Sequence, residues 1–143
     1  MIGACEKSTS IVQCLLKYWL KAWNECGEPG AAYSLASIFA EGDGAIDVRD
    51  DAFGSSITAR SYAEYKEKWL EALDGLEMLA FEIVGEPKVE VSNDRADISF
   101  ELIMRAEQED GRPINPPPRW RGEHEWRRMD GEWRIVRERL KAA

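Results

Sequence analysis

Two apolar rhythms divide the chain. From Ser8 to about Glu25, Val12, Leu15, Leu16, Trp19, Ala22, Trp23 and Cys26 recur every three or four positions. That spacing predicts an amphipathic helix, with Ser8, Thr9 or Ser10 as cap and Gly27 as stop. Pro29 suits the first turn of a second, short helix that buries Leu35, Ala36 and Phe39 and stops at Gly42 or Gly44. Ala45 to Arg49 reads as a short strand and Gly54 to Thr58 as loop. A third helix, from about Arg60 to Leu73, carries Tyr62, Tyr65, Trp69 and Leu73 on one stripe and closes at Gly75.

Beyond Gly75 the rhythm changes to period two. Leu79, Phe81 and Ile83 alternate as far as Gly85-Glu86-Pro87, which reads as a turn. Val89 and Val91 follow, and a second turn is expected at Asn93-Asp94. Ala96, Ile98, Phe100, Leu102 and Met104 then share one face of a long strand. Pro116-Pro117-Pro118 cannot donate ladder hydrogen bonds and reads as a stiff connector.

The last stretch, Arg119 to Lys141, is a predicted hairpin about Asp130-Gly131. A two-residue loop sets Arg128 opposite Trp133, Trp126 opposite Ile135 and His124 opposite Arg137. Carried along both strands, this register puts Trp120, His124, Trp126, Arg128, Trp133, Ile135, Arg137 and Arg139 on the inner face. Arg121, Glu123, Glu125, Arg127, Glu132, Arg134, Val136 and Glu138 then lie on the outer one. Helices first and antiparallel strands afterwards give an α+β domain. The expected form is a cone-shaped, strongly curved antiparallel sheet. Three helices from the N-terminal side cover its concave face and enclose a pocket for a small ligand.

Composition narrows the partners. The 143 residues suit a single domain, 1–143, and 44% hydrophobic with 32% charged residues is a globular balance. A formal net charge of −8 repels phosphate backbones, and Glu alternates with the hairpin arginines, so nucleic acid is excluded as a partner. No run reaches the roughly 20 apolar residues of a membrane span. The three cysteines Cys5, Cys14 and Cys26 form no CxxC pair and read as reduced thiols of a cytoplasmic protein. Ile2-Gly3-Ala4-Cys5 lacks the charged and apolar regions that would precede a lipoprotein cysteine. With no GxGxxG, phosphate loop or metal-ligand cluster, the expected chemistry uses no cofactor.

Several strings resemble the nuclear transport factor 2-like superfamily, in particular its SnoaL-like branch. They are PGAAYSLASIFAEGDGAIDV, SYAEYKEKW, VEVSNDRADISF and WRRMDGEWRIVRERL, and the resemblance spans Ser10 to Lys141. It implies a cone-shaped fold shared by polyketide cyclases, ketosteroid isomerases, scytalone dehydratase and limonene epoxide hydrolase. Transport factors and a kinase association domain share it too. Where that branch often has His-x-His after its final turn, this chain has Arg137 and Arg139. The resemblance matches Asp47 to an acidic residue of the first strand. It matches Asp51, in VRDDAFG, to a proton-shuttling aspartate, and Tyr18 to the position of an essential tyrosine in the first helix. It also implies a homodimer through the outer sheet face, where alternating Arg121, Glu123, Glu125 and Arg127 can meet their own copies.

The candidate catalytic residues are therefore His124, Asp47 and Asp51. His124 reads either as a hydrogen-bonded core residue or as a general base. Arg137, Trp126, Trp133, Trp120 and Tyr18 are the candidate ligand-binding residues, with Arg137 holding an enolate, phenolate or carboxylate oxygen. Pairing of Arg137 or Arg139 with Asp47, Asp51 or Glu101 is the competing structural role. The functional expectation is a pocket for a planar, apolar or aromatic molecule with an anionic or enolisable oxygen. The alternative is a cofactor-free isomerase, cyclase or dehydratase working by proton transfer.

Overall fold

The computed structural model describes residues 8–24, 36–51, 56–72, 76–108 and 119–142. The predicted second helix, apart from its last residues, lies outside them. So do Leu73 and Gly75, the triple proline, Cys5 and Cys26, and the side chains of Val12 and Cys14. The elements are α1 (Ser8–Asn24), β1 (Asp47–Asp50), β2 (Ile57–Ala59), α2 (Tyr62–Ala72), β3 (Leu76–Ser92), β4 (Arg95–Gln108), β5 (Trp120–Met129) and β6 (Glu132–Ala142). No helix among the described residues is long and apolar enough to cross a membrane.

One six-stranded sheet runs in the order β2-β1-β6-β5-β4-β3. The expectation of a wholly antiparallel sheet is corrected at one joint, because β1 pairs with β6 in parallel. The extra strand β2 falls in the segment read as loop. Its Ile57 and Ala59 are buried while Thr58 is exposed, so three residues of alternation suffice to extend the sheet. β3 also differs from expectation. Gly85-Glu86-Pro87 does not end a strand; it forms an irregularity between Val84 and Lys88, with Gly85 at φ +71°, and pairing with β4 resumes beyond it. Glycine takes that φ without a Cβ clash, so the long strand bends instead of breaking.

The Asp130-Gly131 turn forms as predicted, with φ of 51° and 80°. Near it the register is also the expected one, Arg128 with Trp133 and Trp126 with Ile135. One residue further on, Val136 is inserted as a bulge, so that Glu125 faces Arg137 and His124 faces Glu138. Every later side chain of β6 changes face: Glu138 and Leu140 go inside, Arg137 becomes exposed and Arg139 half-exposed. Without the bulge, two guanidiniums would be desolvated on an aromatic face, which costs several kcal/mol per ion unless each is paired.

All six tryptophans are buried. Trp19 of α1 stacks on Phe81 of β3, with centroids 5.7 Å apart, and Trp23 meets Trp69 of α2 edge-on at 5.4 Å. Asn24, the last residue of α1, accepts from the Phe81 N–H at 2.7 Å and donates to the Phe81 carbonyl at 3.1 Å. Its amide thereby pairs with the edge strand as another strand would, fixing the helix across the sheet. Ahead of β1, Ile38 to Ala40 bond Ile135 in the same manner.

Candidate functional site

Four titratable side chains meet inside this core, each delivered by a different element. β6 supplies Glu138 and β5 supplies His124; β1 supplies Asp50 and α2 supplies Tyr65. Their residues are at most 3% exposed. The bulge turns Glu138 inward. The alternation Ile46, Val48, Asp50 carries Asp50 to the same side, and Tyr65 lies on the buried stripe of its helix.

Glu138 is the hub. Its Oε1 accepts from Trp19 Nε1 at 2.8 Å and lies 3.0 Å from His124 Nε2. Its Oε2 lies 3.0 Å from the Tyr65 hydroxyl, which is also 2.6 Å from Asp50 Oδ2. Burial, then the neighbouring charges of Asp50 and Glu138, push the Tyr65 hydroxyl well above its ordinary range, so it stays a phenol. Donors on both oxygens are what permit a carboxylate to remain in so dry a place.

His124 is held on three sides by ring edges. Trp19 lies at 4.9 Å, Phe100 at 5.0 Å and Trp126 at 5.9 Å, all near-perpendicular. Nε2 faces Glu138 Oε1, which leaves Nδ1 as the ring nitrogen turned away from that carboxyl. Nδ1 is buried and finds no hydrogen-bond partner among the described residues. An imidazole oriented by a carboxylate through one nitrogen, with the other open, is the arrangement of a general acid–base group.

Of the residues singled out from sequence, His124 and the three tryptophans reach this interior. Trp120, Trp126 and Trp133 are buried, and their indole N–H groups likewise have no partner among the described residues. The expected pairing of His124 with Arg137 is corrected by the bulge: Arg137 is exposed on the outer face, opposite Glu125. Asp47 also lies outside, where Arg139 donates to its carboxylate at 2.8 Å and to its carbonyl at 2.9 Å. That hydrogen bond is the largest influence holding the Asp47 carboxyl below its ordinary range. Asp51 is half-exposed and accepts from Ser56. Tyr18 is half-buried with its hydroxyl 3.4 Å from Ser37 Oγ.

Sequence reasoning missed Glu138, Asp50, Tyr65 as a polar group, and Trp19 as a donor. Two signals were available. Trp133 and Ile135 are odd-numbered apolar positions and Leu140 is even, a phase change that announces one inserted residue. Asp50 continues the Ile46, Val48 alternation, whereas its neighbours Asp47 and Asp51 do not.

On the outer face a cleft of about 340 Å³ is bordered by Lys88, Glu90, Asp97, Glu123, Glu125 and Arg137. His124 borders it with main chain only, because its side chain is wholly buried. Among the described residues no group of three or more His, Cys, Asp or Glu is placed to hold a metal ion.

Comparison with known proteins places this geometry. The model of the SnoaL-like domain matches residues 17–139. No curated protein matches the sequence. Among solved structures, a candidate aromatic ring hydroxylase from Novosphingobium aromaticivorans superposes with a TM-score of 0.72 at 16% identity, over 92% of this chain and 85% of that one. A nuclear transport factor 2-like protein from Salmonella enterica gives 0.73 at 14% identity, over 94% and 90%. A candidate dehydratase of the same fold family from Streptomyces avermitilis gives 0.72 at 13% identity, over 96% and 99%. At these identities the likeness is one of fold.

Proposed function

Because the chain belongs to the SnoaL-like family, whose fold hosts many reactions and whose function must be argued from the site, we propose that its single domain, 1–143, binds a small organic molecule. The ligand seats in a pocket on the inner, helix-covered side of the sheet, and His124 moves a proton on it without a cofactor. The supporting observation is His124 itself, oriented through Nε2 by Glu138 while Nδ1 has no partner among the described residues. A histidine serving only the core would be expected to satisfy both nitrogens, since an unmade buried hydrogen bond costs about 1–3 kcal/mol.

The ligand class follows from the surroundings. Flat aromatic walls suit a planar apolar molecule. With Arg137 outside and two carboxyls inside, the site disfavours an anion, so the ligand is neutral and carries an enolisable carbonyl or a hydroxyl that leaves as water. The reaction class is isomerisation, cyclisation or dehydration.

The test is solvent deuterium uptake at the carbon next to the carbonyl in a panel of neutral aromatic ketones and hydroxyketones. The protein is expected to accelerate uptake for at least one compound, and His124→Asn to reduce the acceleration about 100-fold or more. A panel in which nothing is accelerated, or an acceleration that survives His124→Asn, overturns the reading.

The working unit is a homodimer through the outer sheet face. Two rows of charge cross that face: Asp47, Arg137, Glu125, Asp97 and Glu90, and beside it Arg49, Arg139, Glu123, Ser99 and Lys88. Its β1–β6 side is richer in arginine and its β5–β3 side in carboxylates, so a two-fold axis sets unlike halves together. The expected partner pairing is revised in one respect, because Arg127 and Arg95 already hold Glu125 within the chain, at 2.7 and 3.5 Å.

A further inference from the structure

On the outer face, where β1, β6 and β5 run side by side, cations gather in a chain whose net charge is −8. Arg137, Arg139 and Lys141 follow one another at alternate positions of β6. Arg49 of β1 lies directly opposite Arg139, and Arg121 of β5 directly opposite Lys141. Like charges set opposite each other across a sheet are destabilising unless a counter-charge is shared between them. Elsewhere on this face one is shared: Arg95 and Arg127 are paired in the same way, and both hold Glu125, at 3.5 and 2.7 Å.

Here the chain supplies too little. Arg139 donates to the Asp47 carboxylate and carbonyl and to the Glu138 carbonyl, so three of its five N–H groups are used. The same Asp47 carboxylate also feels Arg60 and Arg137. Among the described residues, the side chains of Arg49, Arg121, Arg137 and Lys141 make no hydrogen bond or ion pair. Arg49, Arg137, Arg139 and Lys141 border a cleft of about 340 Å³ together with two carboxyls, Glu123 and Asp51. Asp51 already accepts from Ser56.

We propose that this cleft binds a small polyanion, a molecule with two or more phosphoryl or carboxylate groups. Arg49 and Lys141 are its principal donors, and the free N–H groups of Arg139 join them. Four residues of strand separate Arg137 from Lys141 by about 13 Å, which is too wide for one oxyanion and suits two or more. Planar guanidinium forks match either kind of anionic group. The site lies on the opposite face of the sheet from the His124 side chain and owes nothing to its acid–base reading. In the dimer proposed above these cations face the partner's carboxylates, so polyanion and partner compete for them. That consequence rests on the dimer, whereas the site does not.

Calorimetric titration with inorganic pyrophosphate, and separately with citrate, is the test, with ionic strength held constant by sodium chloride so that screening does not change. At least one should bind saturably, at about millimolar or tighter, and the preference between them tells phosphoryl from carboxylate. Arg49→Gln combined with Lys141→Gln should weaken binding about tenfold or more. Lys17→Gln combined with Lys66→Gln removes as much charge from the exposed faces of α1 and α2 and should leave it unchanged. Without anion, the first double variant should melt no lower than the unmodified protein, since it relieves repulsion. Absence of saturable binding by both anions overturns the proposal, and so does equal weakening in the two double variants. A lower melting temperature in the first variant would show these cations already balanced within the chain, and would also overturn it. The titration reads the anion on monomer or dimer alike, so it can fail separately from the assembly.

Discussion

At Glu138 one carboxyl group meets three polar side chains from three elements: Trp19, His124 and Tyr65. Removing it leaves those groups facing each other in a dry interior, so Glu138→Ala should destabilise the fold by about 3–5 kcal/mol in chemical denaturation. Glu138→Gln keeps the shape and part of the bonding, and should cost about 1–3 kcal/mol. Equal losses in the two variants would show that volume matters there and hydrogen bonding does not. Asp47 behaves in the opposite manner. Its folded pKa lies below the ordinary 3.8, so pairing with Arg139 adds stability above the unfolded value. That contribution is lost as pH falls from there through the lower folded value. Asp47→Asn should therefore lower stability slightly at neutral pH, the pair being half-exposed, and make no difference in strong acid, where the contribution is already gone. Melting curves at neutral and acid pH distinguish the two. Arg137→Met, on the exposed outer face, should alter neither stability nor ligand binding.

At the scale of elements, the β5–β6 hairpin is where the sequence was read both well and badly. Asp130-Gly131 announced its turn because few residue pairs accept two positive φ values in succession. Gly131→Val should cost about 1 kcal/mol or more, and Asp130→Asn should be nearly neutral, as measured by denaturant midpoints. The bulge at Val136 has no comparable composition; it depends on which face can bury Glu138 among donors brought from α1, α2 and β5. Those partners are distant in sequence, so the hub of the site was illegible while its histidine was not. The helices show the same division. The stripes of α1 and α2 were legible as period 3.6, but nothing local marks Trp19 Nε1 or the Tyr65 hydroxyl as facing a carboxylate. Gly122 of β5 is a further case. A Cβ there would overlap the buried Phe100 ring, itself against Trp19 and His124. Gly122→Ala should cost about 1–3 kcal/mol by overpacking and should disturb the His124 resonances in NMR spectra.

For the whole molecule, the two faces of the sheet divide the work. Apolar alternation was enough to tell them apart along β4, whose Ala96, Ile98, Phe100, Leu102 and Met104 are all buried as expected. Among the described residues the inner face holds an aromatic core around the Glu138 network, and the outer face is a lattice of charge. If copies pair through that lattice, contacts between unlike charges should weaken as salt screens them. Sedimentation should show the dimer dissociation constant rising several-fold between about 0.1 and 0.5 M salt. A monomer at micromolar concentration in low salt would remove the dimer from the account.

On the function proposed above, His124 is an oriented proton carrier with Nδ1 as its working atom. Nitrogen-15 NMR of the single imidazole across the pH range tests it most directly. Nε2 should keep its hydrogen, bonded to Glu138, and a bound aromatic ketone should shift the Nδ1 resonance. An imidazole whose Nε2 loses its proton while Nδ1 stays protonated and indifferent to every ligand would contradict the account.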